Sequence, residues 1–196
     1  MSVFGTVKVK NNKYRIKGDF HHMTPNMPIR NEDDGWKLMG VTNPREMIYI
    51  HSYGGEAPFF ESLSEGKLMA TRCDNSSCDM KGTIYQPFRI HCMDCLGKNT
   101  VFDMTDLAKK TAKIHTFMVC ERSGAFNALE KPIKFINIEF DGVATILMSV
   151  LIMGEPKIGM RVVPIFKKRN PTYTITDLFW VPEGVAESDL PEGYSY

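Results

Sequence analysis

Lys+Arg 24 against Asp+Glu 23 over 196 residues leaves a formal net charge of +1. Global charge therefore gives no grip on a polyanion, which counts against a nucleic-acid binder. The longest apolar run, residues 143–153 (VATILMSVLIM), is too short to span a bilayer, and the opening MSVFGTVKVKNNKYRIKG has no apolar signal-peptide core. Five cysteines would leave one over in a disulfide scheme, so the expectation is a cytoplasmic chain holding one ordinary core and a small metal-stapled module.

In chain order, residues 1–54 read as an N-terminal extension opening with a hairpin. Val7 and Val9 face Ile16 and Tyr14 across an Asn11-Asn12 turn, which sets Lys8 opposite Arg15 and Lys10 opposite Lys13. Like charges opposite one another are unfavourable unless they are solvated or meet an acidic group. Residues 21–46 are turn-rich, with three prolines and little periodicity. They are expected to lie along another surface rather than form a core. Residues 55–70 hold a short helix: Pro58 suits its first turn, Phe59, Phe60 and Leu63 make an apolar face, and Gly66 ends it. That face has more apolar area than its own chain obviously needs and is expected, with residues 1–54, to dock on a partner subunit.

Residues 71–99 carry the most specific pattern. Cys73 and Cys78 bracket CDNSSC, Cys92 and Cys95 bracket CMDC, and thirteen residues separate the pairs. Two thiolate pairs on facing turns can surround one tetrahedral ion, the chemistry of a structural Zn(II) site. The first pair is wider than the usual two intervening residues but within what zinc accepts. Disulfides, free thiols and an iron centre on the same four thiolates remain alternatives.

From residue 100 to 182 the chain reads as β. The candidates are 112–120 (AKIHTFMVC), 133–140 (IKFINIEF), 143–153, 160–167 (MRVVPIFK) and 173–181 (YTITDLFWV), punctuated by turns such as Asp141-Gly142. Five short strands with Gly-rich corners suit an OB-type barrel. Pro164 in the fourth implies an edge or a bulge. Residues 183–196 form an acidic tail with Tyr194 and Tyr196 as anchors.

No catalytic constellation stands out. His21 and His22 have no matched acid or nucleophile nearby in sequence, and His51 and His115 read as hydrogen-bonded structural histidines in strand-like segments. His91 is a peripheral group or an alternative ligand beside Cys92, and Cys120 in a β run behaves as a small hydrophobe. The stretch Lys167-Lys168-Arg169 is a solvated turn or a phosphate contact.

Several features together resemble a known family: Phe59-Phe60 with Glu65-Gly66-Lys67-Leu68, the four cysteines with Pro87 and Arg89, and Ile158-Gly159-Met160-Arg161-Val162 before the fourth strand. They are similar to the zinc-ribbon/OB-fold acyl-CoA-associated proteins, long labelled a domain of unknown function. The resemblance covers about residues 56–182; the longer first knuckle and residues 1–54 depart from it. It implies a mainly β chain: a rubredoxin-like zinc ribbon, then a five-stranded OB-fold barrel, with the N-terminal hairpin extension and short helix. It also implies a non-catalytic accessory subunit of a thiolase-superfamily enzyme in a hetero-oligomer, helping to enclose an acyl-CoA. The benzoylsuccinyl-CoA thiolase of anaerobic toluene breakdown is one complex of that kind. On this reading Zn(II) is held by Cys73, Cys78, Cys92 and Cys95, the thiolase-like partner supplies the nucleophile, and the loop 121–132 faces the acyl-CoA with Arg122 and Lys131 as phosphate contacts. Neither nucleic acid nor membrane is an expected partner. The rival reading is a single-stranded nucleic-acid binder, since OB barrels and zinc ribbons both serve that role.

Overall fold

The computed structural model describes residues 5–11, 13–18, 21–23, 28–41, 45–47, 54–121 and 129–196. The chain divides into two compact units, Met1–Ser52 and Tyr53–Tyr196.

In the first unit β1 (Gly5–Lys10) and β2 (Lys13–Gly18) pair antiparallel. The register sets Val7 against Ile16, Val9 against Tyr14, Lys8 against Arg15 and Lys10 against Lys13. Asn11 takes a φ of 51° at the turn, a region Asn tolerates better than most residues. Residues 21–46 are more regular than their sequence suggests. β3 (His21–Met23), β4 (Pro28–Asn31), β5 (Lys37–Val41) and β6 (Arg45–Met47) form two ladders, β3–β6 and β4–β5. Strands of three to five residues are too short to display an alternation, and β3–β6 pairing is non-local, so the pattern escapes a linear reading. The β4–β5 turn is fastened by the Asn31 side chain, which accepts from the Asp33 N–H at 3.0 Å.

The second unit begins with α1 (Ala57–Ser64), with Pro58 in its first turn and Gly66 just past its end at φ 77°. β7 (Met69–Arg72), β8 (Ile84–Tyr85) and β9 (Thr100–Asp103) form a three-stranded sheet in the order β8-β7-β9. The cysteine turns project from this sheet. A second helix, α2 (Thr105–Thr111), is absent from the sequence expectations, which run straight into β; seven residues are too few to show a helical period. Arg161 fixes its end, donating from Nη1 to Ala112 O at 3.2 Å and from Nη2 to Lys109 O at 3.1 Å.

Five strands make the barrel: β10 (Lys113–Cys120), β11 (Ile133–Glu139), β12 (Leu147–Val150), β13 (Val162–Lys167) and β14 (Leu178–Pro182). β10-β11-β12 form one antiparallel ladder and β13-β14 another. A parallel bridge at Leu151–Trp180 joins β12 to β14, and an antiparallel bridge at Lys113–Arg161 joins β13 to β10. The order β10-β11-β12-β14-β13 thus closes on β10, the arrangement of an OB barrel.

Two expected strands are shorter. The third keeps only residues 147–150: at its start Val143 bridges Ile84 of the ribbon sheet and the Ala144 N–H bonds Ile84 O, and past Val150 only Leu151 still bridges, to Trp180. The fifth loses its start to a 3-10 turn at Ile175–Asp177. Pro164 sits in mid-strand without cost. The N–H of Val162 points to Ala112 O, away from β14, so residue 164 points the same way. On that side β13 leaves β10 at Arg161 and meets β15 (Tyr194–Ser195) only at Phe166, so no ladder bond is missing.

One face of every barrel strand joins the main core, exemplified by Ile114, Ile138, Leu147, Val162 and Trp180. That core also takes in Phe59 and Leu63 of α1, Leu68, Ala70 and Met104. The other face of β11, β12, β13 and β14 packs under the C-terminal segment through Ile133, Val150, Ile165 and Phe179, whereas Phe117, Met118 and Val119 of β10 are exposed. Tyr194 stacks on Phe179 with ring centroids 5.2 Å apart, and its hydroxyl donates to Thr176 O at 2.8 Å. An apolar face of α1 aimed at a partner is therefore not what is found: Phe59 and Leu63 are 4% and 0% exposed inside their own unit. No helix among the described residues is long and apolar enough to cross a membrane.

Candidate metal centre

Cys73 follows β7 directly. Its N–H bonds Thr83 O at 3.1 Å and its carbonyl accepts from Gly82 N–H at 2.7 Å, closing a turn that needs Gly82 at φ 83°. Four residues separate Cys73 from Cys78 because Asn75 builds a turn inside the knuckle. Its Oδ1 accepts from Ser77 N–H at 3.0 Å and its carbonyl from Cys78 N–H at 3.2 Å. The second knuckle hangs from the His91–Lys98 bridge. There Cys92 N–H reaches Gly97 O at 2.9 Å and Asn99 N–H reaches Ile90 O at 2.8 Å.

These turns bring the four sulfurs within 4.8 Å of one another. Cys73 Sγ lies 3.9 Å from Cys95 Sγ, and Cys78 Sγ lies 3.9 Å from Cys92 Sγ. The four sulfurs form no disulfide, and these separations are far beyond one. A tetrahedron with metal–sulfur bonds of about 2.3 Å has edges of about 3.8 Å. Cys73, Cys78 and Cys92 are buried and Cys95 is half-buried. The cluster fits a tetrathiolate metal ion in size, geometry and ligand softness.

The thiols are not equivalent. The backbone N–H groups of Asp94 and Cys95 favour the Cys92 thiolate and bring its pKa down to about 6. The Asn75 side chain and then the Gly97 backbone lower that of Cys95. The Asp94 carboxylate, followed by burial, pushes Cys78 well up. At Cys73 the Asn75 backbone favours the thiolate, but burial and the neighbouring Cys92 outweigh it and the value rises. A bound cation would draw the protons from the reluctant pair.

Of the other candidates, Arg122 and His51 lie outside the described residues, as do the side chains of His21 and His22. Lys131 is exposed on the rim of a cleft of about 480 Å³. Leu129, Val150, Ile152, Phe179 and Tyr194 also line that cleft, and no cysteine of the cluster does. His115 Nδ1 pairs with Glu139 at 2.8 Å on the barrel surface, and Cys120 is half-buried at the end of β10. Two neighbours of the sulfurs escape the sequence reading: the Tyr85 hydroxyl, 3.6 Å from Cys92 Sγ, and Asp94 Oδ2, 3.0 Å from Cys78 Sγ. Tyr85 reads as one more β residue, and the position of Asp94 between two cysteines was the only available signal.

No protein-family model matches the chain, and no curated protein does. Solved structures do. A chain of the Ltp2-ChsH2(DUF35) aldolase aligns with a TM-score of 0.52 at 18% identity, covering 68% of this chain and 98% of that one. A DUF35-family protein of unknown function from Sulfolobus solfataricus aligns with a TM-score of 0.48 at 20% identity, covering 68% and 90%. At 18% identity the likeness to the first is one of fold. The mainly β body and the cysteine cluster suited to a zinc ribbon are thus as the sequence led one to expect.

Proposed function

We propose that this chain is a zinc-binding accessory subunit of a thiolase-superfamily acyl-CoA enzyme. It would carry no reaction of its own, and would help assemble the complex and enclose the acyl-CoA. The ion is Zn(II), held by Cys73, Cys78, Cys92 and Cys95; it supplies no chemistry to substrate and locks the two knuckles in place. The observation that carries the accessory role is the β4–β5 hairpin, where Trp36, Leu38 and Met39 stand 60%, 59% and 70% exposed. A large aromatic and two aliphatic side chains left in water on one hairpin match the anchors of a protein interface. The chemistry points the same way, because four of the five thiols are committed to one buried cluster and a thiolase needs an activated one. The Ltp2-ChsH2(DUF35) aldolase, whose name joins two proteins, is a neighbour in fold that supports the reading.

Docking therefore falls to residues 1–54, with Trp36 at the centre, rather than to α1. The cleft beside Lys131 is where this chain would approach the CoA phosphates, and Arg122 is the second candidate contact. The test is co-expression with thiolase-like subunits, followed by co-elution and turnover assays on a panel of acyl-CoA esters that includes benzoylsuccinyl-CoA. The expected result is a stable complex that is active, a chain that is inactive alone, and loss of co-elution in Trp36→Ala. Turnover by the isolated chain, or salt-sensitive binding of single-stranded nucleic acid, would overturn the proposal.

A further inference from the structure

The four sulfurs have unlike surroundings. Tyr85 is 1% exposed, and its hydroxyl lies 3.6 Å from Cys92 Sγ. A phenol has one hydrogen to give, and a metal-bound thiolate accepts it. Across the cluster, Asp94 Oδ2 stands 3.0 Å from Cys78 Sγ. An ionised carboxylate has no hydrogen to offer, so toward a thiolate it presents only like charge. Among the described residues, the one backbone donor at Cys78 Sγ is the Met80 N–H, at 3.3 Å. Four thiolates around one divalent ion carry a formal excess of two negative charges. A donor beside the cluster spreads that excess, whereas a carboxylate adds to it.

We propose that Tyr85 and Asp94 are positioning residues that set metal retention in opposite directions. The Tyr85 hydroxyl holds Cys92 as a ligand, and the Asp94 carboxylate weakens the hold of Cys78. The proposal rests on the metal reading above. It makes the site less tight than four buried cysteines alone would make it, with Cys78, in the wider knuckle, as the weaker arm. Neither residue is a ligand. Asp94→Asn keeps the size of the side chain, removes its charge and gives it an N–H donor to offer Cys78.

The experiment loads the full chain with Co(II) and follows its thiolate-to-cobalt absorption during titration with a competing chelator. Circular dichroism checks the fold of each variant. Tyr85→Phe is expected to release cobalt at about 10-fold lower chelator concentration, in line with the usual effect of losing a hydrogen-bond partner of a metal ligand. Asp94→Asn is expected to need severalfold more chelator than the wild type. A purely structural role would move both variants downward together. Shifts of the same sign, or no shift in folded variants, overturn the proposal. If Tyr85→Phe does not fold, Asp94→Asn decides alone: retention that is unchanged or lowered overturns it. A folded wild type that takes up no cobalt overturns the metal reading and this proposal with it, and so is told apart from variants that merely fail to differ.

Discussion

The knuckles and the barrel solve the same problem with different materials. Around the cysteines the buried set is Cys73, Cys78, Tyr85 and Cys92, flanked by Met80 and Cys95. Four of those six are thiols, so little apolar surface leaves water there on folding. The barrel buries residues from all five strands, and from β11, β12, β13 and β14 on both faces. Apolar burial can hold the barrel at about 25 cal/mol per Å². On the proposed reading an ion holds the knuckles, because a module of this size has too small a core of its own.

Stripping the metal breaks the comparison most directly. Structural zinc contributes about 10–16 kcal/mol to finger-sized modules. Chelation should therefore expose the amides of residues 73–99 to exchange while β10–β14 stay protected. Loss of protection throughout the barrel would show that the two regions are not held separately. Next in size, Trp180→Ala and Phe59→Ala each empty a site in the main core and should cost about 3–5 kcal/mol in denaturant unfolding. The Phe59 variant also bears on assembly: it should lower stability of the isolated chain, whereas Trp36→Ala should leave that stability nearly unchanged.

A smaller effect is expected at Thr145. Its Oγ1 accepts from Gln86 N–H at 2.8 Å and donates to Gln86 O at 2.8 Å. Thr145→Val should cost about 1–3 kcal/mol because both backbone groups of a buried residue lose a partner, and Thr145→Ser should restore most of it. The smallest effect is electrostatic. The hydrogen bond from His115, then the charge of Lys113, lowers the Glu139 pKa. A depressed folded-state value means the stabilisation is present above the unfolded carboxylate range and is lost as pH falls through the folded value. The melting temperature of Glu139→Gln should accordingly fall less steeply than that of the wild type between about pH 5 and about pH 3. Parallel curves would remove Glu139 from the account.

What could be read from the sequence follows from how local each signal is. The cysteine spacing states a ligand set directly, and the alternation in 133–139 or 162–167 states a strand. The bridges that close the barrel, Leu151–Trp180 and Lys113–Arg161, join residues tens of positions apart and leave no local mark. The same holds at the metal centre. Cys73, Cys78, Cys92 and Cys95 announce themselves by type, whereas Tyr85 matters only because folding carries its hydroxyl to Cys92. Phe59 and Leu63 were misjudged as surplus apolar area for a related reason. The core they fill is built by β7, α2 and the barrel, all later in the chain.

The Gln86–Thr145 pair has a consequence for how the second unit comes apart. Alongside it, Ile84 and Val143 form a parallel bridge, and Ala144 N–H bonds Ile84 O at 3.0 Å. The link to the ribbon therefore falls in the connection between β11 and β12, fifty-nine positions along the chain from Gln86. Opening β8 takes the partner from the Ala144 N–H and, where it carries Gln86 along, leaves both backbone groups of that buried residue unpaired, so β8 and the connection share a free-energy penalty for opening. In hydrogen exchange of the metal-loaded protein, β8 and the 143–146 connection should open as one cooperative element, with a single opening free energy.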